Sequence, residues 1–268
     1  MKERKLRRTP LIATALIVIT VALSIVIVEG GFGVLPPNQI RELGRTILIN
    51  TYNPWNTTLT SYSLNSVSAI IWDYRGIDTL IETTVLFASV VGLSIIFQGI
   101  KPKPLGAGKG MSIITKTTVK LVILLTVAAS LSIAVHGHIT PGGGFQGGSI
   151  LAIIASLTIV TYSIGVIFRS GVSLDVLLKI RYLALLTLLL TAITPIVLGL
   201  VLNTRAYVLQ NMAKEDSVVS MPATFLNTPL AGSIFFFNLI EYIVVSTSIV
   251  FIIVLFTLSS KILGSKGE

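Results

Sequence analysis

The sequence predicts an all-α integral membrane protein with about six transmembrane helices and both termini in the cytoplasm. Hydrophobic residues make up 53% of the 268 residues and charged residues only 12%, and the mean hydropathy is +0.89. A soluble domain carries about 25% charged residues. The basic residues that give the net charge of +9 cluster between apolar runs, which indicates membrane topology and argues against nucleic-acid binding.

Six apolar stretches are long enough to cross a bilayer as helices of about 20 residues. They cover residues 10–28, 79–98, 113–135, 147–168, 181–202 and 232–258. The first follows a basic N-terminus, as in a signal peptide, but a signal peptide has only about 7–15 apolar residues. The longer run predicts an uncleaved membrane anchor.

The orientation follows from the distribution of basic residues. With six spans, both termini, the linker 101–110 and the connection 169–181 share one side, and most lysines and arginines lie there. Residues 29–78, 136–148 and 203–231 lie on the other side, where acidic residues balance basic ones. Because positive loops stay in the cytoplasm, we expect a multi-pass protein of the cytoplasmic membrane.

The linker 101–110 contains two prolines and three glycines and cannot continue a helix. It predicts a division into a two-span part, residues 1–100, and a four-span part, residues 111–268. The two-span part has an extracytoplasmic segment at 29–65. No internal repeat is visible, which argues against a self-contained transporter built from inverted repeats.

The first candidate site lies at the start of the second span. Asp78 is predicted to be the N-cap of that helix, and Glu82 follows one turn later, about 6 Å deeper. One interpretation is an ordinary acid at a helix end, stabilised by the helix dipole and paired with Arg75. The other is that Glu82 carries protons or cations, because carboxylates inside membranes are rare and usually line ion paths.

The second candidate site is Glu241, with Asn238 on the same face of the last span. Glu241 lies roughly 14 Å from the start of that span, so we expect it to be protonated, hydrogen-bonded or paired. The alternative is a polar contact between helices. Lys120 lies deepest among the basic residues near helix ends and is a candidate ion-path residue, whereas Arg181 is expected to extend toward the headgroups.

A glycine-rich loop, 136–148, joins two of the spans and contains His136 and His138. A His-x-His pair without a nearby third ligand is not a catalytic zinc site, so we expect histidines that bond to backbone in a tight loop, with a proton relay as the alternative. The chain has no cysteine, which excludes thiolate metal sites and cysteine nucleophiles. No catalytic residue, metal or cofactor is predicted.

The loop resembles the Gly-His-Asn-x-Pro-Gly-Gly-Gly-Phe-x-Gly-Gly signature of the MnhB/MrpB family, the B component of multisubunit sodium/proton antiporters. The matching residues are Gly137, His138, Pro141, Gly142, Gly143, Gly144, Phe145, Gly147 and Gly148, whereas Ile139 replaces the usual Asn. The last span resembles the family's Phe-Asp-x-Gly-Val-Tyr pattern, with Asn238 in place of Asp. Glu241 supplies a carboxylate three residues later.

Residues 73–82 resemble the Asp-Phe-Arg-Gly-x-Asp-Thr-Leu-Gly-Glu motif. That motif belongs to the E component of membrane-bound hydrogenases and to the C-terminal end of the large A component of the antiporters. Arg75, Asp78 and Glu82 match the motif, and Ile81 replaces its second Gly. The chain therefore resembles a fusion of an E-type part with a B-type part.

These resemblances imply a non-redox membrane subunit of an Mrp-type complex that exchanges Na⁺ for H⁺, with other membrane subunits as partners. Glu82 and Glu241 are the main candidates for ion or proton transfer. Three alternatives remain: the membrane arm of an archaeal hydrogenase or sulfur-reducing complex, a purely structural scaffold, and a self-contained transporter. A membrane enzyme is the least favoured class.

Overall fold

The computed structural model describes residues 2–31, 40–97 and 110–264 and confirms an all-α membrane architecture. The helices are α1 (Lys2–Val28), α2 (Glu42–Thr51), α3 (Ser66–Ala69), α4 (Gly76–Ile96), α5 (Ile113–Val135), α6 (Gly144–Thr161), α7 (Ile164–Arg169), α8 (Leu174–Val201) and α9 (Ser233–Gly264). One π-helical turn, Ile70–Tyr74, lies between α3 and α4. A short hairpin of β1 (Thr224–Phe225) and β2 (Thr228–Pro229) precedes α9.

Five helices, α4, α5, α6, α8 and α9, are long and apolar enough to cross a membrane. The first predicted span lies in α1, whose described apolar part, Ala13–Val28, is shorter than the other five. The chain forms two compact units, residues 1–45 and 46–268. The predicted division at the linker remains a prediction, because residues 101–109 lie outside the described residues.

Side-chain caps set where α5 and α8 begin. Ser112 accepts the amide of Thr115 (3.3 Å), and α5 coincides with the predicted span 113–135. Ser173 accepts the amide of Val176 (3.2 Å), so α8 begins well before the predicted residue 181. The later start was a wrong prediction, because polar residues in the first turns of α8 resemble a loop in sequence.

The predicted continuous span 147–168 is also wrong, because the chain breaks between α6 and α7. Ser163 has a φ of 117°, which a helix cannot accommodate. The Tyr162 hydroxyl donates to the carbonyl of Lys116 (2.6 Å), and the Met111 amide donates to the carbonyl of Thr161 (2.9 Å). These bonds fix the end of α6 beside the start of α5.

Helix α9 is the central helix of unit 46–268, packing against α4, α5, α6 and α8. Three connections meet where α4, α6 and α9 begin, namely residues 52–75, 136–143 and 202–232. We call this the loop end of the bundle and the other the basic end. The charge distribution predicts that the loop end is extracytoplasmic.

Candidate functional site

Residues before α4 hold the glycine loop 136–143 in place. The Asn65 side-chain amide donates to the carbonyls of Gly137 (2.7 Å) and Thr140 (2.9 Å). The Ser63 hydroxyl donates to the carbonyl of His138 (2.8 Å). Because Ser63, Asn65 and His138 are buried, these bonds satisfy backbone groups that lipid could not.

The glycines at the start of α6 allow its backbone to lie against two neighbouring helices. A Cβ atom on Gly147 would lie 2.7 Å from the carbonyl oxygen of Ser130 in α5, and one on Gly148 would lie 2.7 Å from that of Tyr242 in α9. Real Cβ atoms essentially never approach so closely. The glycine signature therefore serves close helix packing.

The same loop binds Glu241, a contact that the sequence did not predict. Glu241 is 5% exposed, and its Oε2 accepts the backbone amide of Phe145 (3.2 Å) in the first turn of α6. The amides at a helix N-terminus carry partial positive charge and stabilise a carboxylate there. The expected hydrogen bond to Glu241 thus comes from within the chain, and the loop belongs to the site.

Asn238 lies one turn before Glu241 and is fully buried. Its Oδ1 accepts the indole Nε1–H of Trp72 (3.1 Å), which fixes the orientation of the amide, since a flipped amide would oppose donor to donor. The Trp72 ring stacks on Phe237 with centroids 4.7 Å apart. Within the described parts of the chain, Nδ2 of Asn238 has no hydrogen-bond partner.

The two loop histidines differ in environment. The His138 ring is buried, and its Nε2 donates to the carbonyl of Pro229 (2.9 Å), which joins the loop to the β-hairpin. Burial lowers the pKa of His138 from 6.5, and the bond to Pro229 partly offsets this. His136 is exposed. Residues 2–31, 40–97 and 110–264 contain no group of three His, Cys, Asp or Glu residues able to hold a metal.

At the start of α4, Arg75 and Asp78 form a salt bridge of 2.6 Å, and both side chains are mostly exposed. The predicted N-cap role of Asp78 is wrong: Arg75 occupies the N-cap position without a side-chain cap bond, and Asp78 lies in the first turn. Glu82 is exposed on the flank of α4. Glu82 and Glu241 lie on α4 and α9, which pack against each other.

An open cavity of about 720 Å³ lies at the loop end beside Arg75 and Asp78. Asp73 and Lys214 also line it. Burial raises the pKa of Asp73, although the hydroxyl of Ser61, which donates to Oδ2 (2.7 Å), and the charge of Lys214 act in the opposite direction. The open cavity therefore places charged side chains around the start of α4.

Arg181 corrects a prediction. It does not extend toward the headgroups but is fully buried seven residues into α8. Its Nη2 donates to the carbonyl of Phe87 in α4 (3.1 Å), and the guanidinium lies 5.0 Å from the Phe87 ring centroid. Its Nε and Nη1 have no partner among the described residues. Lys120 is exposed near the basic end of α5 and makes no described contact with the carboxylates.

The fold and the buried carboxylate define a multi-pass helical membrane protein with a glycine loop packed on its central helix. Residues 114–251 match the family described as "Domain related to MnhB subunit of Na+/H+ antiporter". The chain belongs to this family, which confirms the resemblance of its C-terminal part.

Similar proteins cover different shares of the chain. An uncharacterized protein of Methanocaldococcus jannaschii is 33% identical over an alignment of 123 residues, which covers 39% of this chain and 47% of the relative. The chain thus matches about half the length of that relative.

Two solved complexes contain chains of similar fold. A chain of the membrane-bound sulfane sulfur reductase, an archaeal respiratory membrane complex, matches with a TM-score of 0.60 and 22% identity over 91% of this chain and 98% of that chain. A chain of the Mrp complex from Dietzia sp. DQ12-45-1b matches with a TM-score of 0.60 and 19% identity over 91% of this chain and 26% of that chain. At these identities the likeness concerns the fold.

Proposed function

We propose that this protein is a non-redox subunit of an Mrp-type cation/proton antiporter in the cytoplasmic membrane and contributes to its Na⁺/H⁺ path. The supporting observation is the series of acidic groups along α4 and α9. Asp78 lines the open cavity, Glu82 lies one turn deeper on the same helix face, and Glu241 lies on α9, which packs against α4.

Each acid has a distinct role in this route. Asp78, paired with Arg75, attracts cations to the cavity without binding them tightly, because its charge is already balanced. Glu82, one turn beyond Asp78, receives an ion or proton that enters through the cavity. Glu241 then accepts the ion or proton near the middle of the membrane. When the Glu241 carboxylate carries neither, the Phe145 amide stabilises it.

The E-type resemblance of residues 73–82 fits this proposal, because it assigns Arg75, Asp78 and Glu82 to one motif. Asn238 positions Trp72 and the loop beside Glu241. Lys120 is exposed at the basic end of the bundle. It is a weaker candidate for the ion path and would act only at that end. Other membrane subunits would supply the remainder of the path.

Replacing Glu82 with Gln tests the route. We expect Na⁺-dependent proton exchange in vesicles holding the complex to fall by about tenfold or more, equivalent to about 1.4 kcal/mol of barrier, while the complex stays assembled on native gels. Asp175→Asn is the matched control, because Asp175 lies in the first turn of α8 at the basic end, away from the cavity. Normal exchange in Glu82→Gln would refute the assignment, and loss of assembly would favour the scaffold role.

A second candidate function is the same role in the membrane arm of a redox-driven complex. The observation in its favour is that the sulfane sulfur reductase chain matches over 98% of its length, whereas the match in the Mrp complex covers a quarter of a longer chain. Purification of the complex in mild detergent separates the two. Iron–sulfur absorption in the purified material would indicate redox partners, since this cysteine-free chain cannot supply the thiolates that hold a cluster.

A further inference from the structure

Glu82 leaves a charge uncovered on the flank of a membrane-spanning helix. It lies six residues beyond the start of α4, about 9 Å along the helix axis. The side chain is exposed and makes no hydrogen bond or salt bridge within residues 2–31, 40–97 and 110–264. A carboxylate facing lipid at this depth is costly, and a glutamate is too short to reach the headgroups as lysine does.

Along α4, the face that carries Glu82 has acidic residues at its beginning and small residues further on. We call the following residues the Glu82 face, since they recur at helical spacing: Asp78, Glu82, Val85, Ser89 and Gly92. The Val85 side chain is 58% exposed, and the Ser89 hydroxyl bonds to the Val85 carbonyl of its own helix (2.9 Å). A Cβ atom on Gly92 would have no neighbour within 4 Å.

A neighbouring face of α4 packs on the bundle. Thr79, Thr83 and Val90 are buried there, so rotation of the helix cannot bury Glu82 without exposing this face. The described residues of unit 46–268 therefore leave the Glu82 face uncovered.

Arg75 and the apolar stretch of α1 are poor candidates for neutralising the charge of Glu82. Arg75 is already paired with Asp78. The apolar stretch Ala13–Val28 of α1 contains no charged residue, and its Thr20 and Ser24 hydroxyls bond to carbonyls of their own helix. Neither Arg75 nor this stretch of α1 supplies a counter-charge for Glu82.

We propose that the Glu82 face binds a transmembrane helix of another membrane subunit, and that this helix presents a Lys or Arg side chain to Glu82. The proposal rests on the proposed function only in requiring a multisubunit complex. A cationic partner supplies the charge complementarity that lipid lacks. Ser89 and Gly92 leave room for its backbone, as small residues do at helix contacts in membranes.

The chain has no cysteine, so single cysteines report on this face without background. Val85→Cys and Ser89→Cys, each carrying a maleimide–benzophenone label, are irradiated within the intact complex in native membranes. We expect photo-cross-links to one helix of another subunit, identified by mass spectrometry, with a Lys or Arg within one turn of the height of Glu82. Thr83→Cys, on the buried face of α4, is the control and should give no such cross-link.

Charge exchange tests the ion pair. Glu82→Lys should lower the yield of assembled complex at least several-fold, and an acidic residue in place of the partner's basic residue should restore it. Cross-links from Val85 and Ser89 only to lipid or to α1 of the same chain would overturn the proposal. So would a cross-linked helix without a basic residue, or failure of the exchanged pair to restore assembly.

The outcomes separate this proposal from the ion route. Cross-links together with normal exchange in Glu82→Gln would leave the interface standing and refute the proposed function. Loss of exchange in Glu82→Gln, without cross-links to a helix that carries a basic residue, would support the proposed function and refute the interface.

Discussion

At the scale of single residues, the contact between Gly144 and α9 is the tightest constraint on the site. A Cβ atom on Gly144 would lie 2.7 Å from Cβ and 2.8 Å from Oε2 of Glu241. We expect Gly144→Ala to push α6 away from α9 and to lower the free energy of unfolding by about 1–3 kcal/mol. The midpoint of thermal unfolding of the purified chain in detergent measures this effect.

Gly92→Ala is the matched control for that experiment, because in the lone chain nothing lies within 4 Å of the added methyl group. Alanine also favours the helix over glycine. The control should unfold at the wild-type midpoint or above it. Equal midpoints for the two variants would contradict the tight packing of Gly144.

His138 predicts a pH dependence of stability. Burial lowers its pKa below 6.5, so the unfolded state binds a proton more readily than the folded state. Stability is then complete above about pH 6.5 and decreases as the pH falls through 6.5 toward the folded pKa. We expect the unfolding midpoint to decrease between about pH 7.5 and 5, and His138→Gln, which can still donate to Pro229, to weaken that decrease.

His136→Gln is the control, since the His136 ring is exposed. It should retain the wild-type acid sensitivity. An unchanged pH profile in His138→Gln would show that the acid sensitivity arises elsewhere in the chain.

At the scale of helices, Arg181 places a charge between α8 and α4 that has no acidic partner among the described residues. Replacing a buried ion with an apolar side chain of similar size is often neutral or stabilising. We expect Arg181→Met to raise the free energy of unfolding by about 1 kcal/mol or leave it unchanged, measured by thermal unfolding in detergent. Arg169→Met, at an exposed position in α7, should change it by less than about 0.5 kcal/mol.

A clear loss of stability in Arg181→Met would contradict this expectation. Such a loss would mean that two contacts of Arg181, the bond to the Phe87 carbonyl and the contact with the Phe87 ring, stabilise the packing of α8 on α4. Their contribution would then exceed the cost of burying the charge.

The helices also show which features the sequence could predict. Apolar length predicted the spans, and α5 agrees at both ends because Ser112 supplies a recognisable cap. The break at Ser163 was missed, since neither glycine nor proline marks it. Arg181 was misplaced because its depth depends on where α8 begins, and polar residues there hid the cap at Ser173.

At the scale of the whole molecule, the site depends on contacts between distant segments, which sequence spacing does not reveal. Glu241 and Phe145 are 96 residues apart, and Trp72 and Asn238 are 166 apart. The sequence indicated each candidate residue by its chemistry. It did not indicate which of these residues lie together in the fold. The glycine signature identified the loop, and only the fold identified α9 and its carboxylate as its packing partner.

The fold also gives a physical reason why an acid could change position on α9. Asn238 and Glu241 both approach the backbone at Gly143 and Gly144, so a carboxylate at either position lies beside the start of α6. The family's usual Asp and the Glu241 of this chain would then perform the same task from adjacent turns.

Exchange by complexes carrying Glu241→Gln tests the central claim most directly. The claim is that the glycine loop holds a carboxylate of the ion route. We predict that Glu241→Gln assembles normally but loses Na⁺-dependent proton exchange in vesicles, and that Asn238→Asp combined with Glu241→Gln recovers a substantial part of it. Exchange at the wild-type rate in Glu241→Gln would contradict the claim.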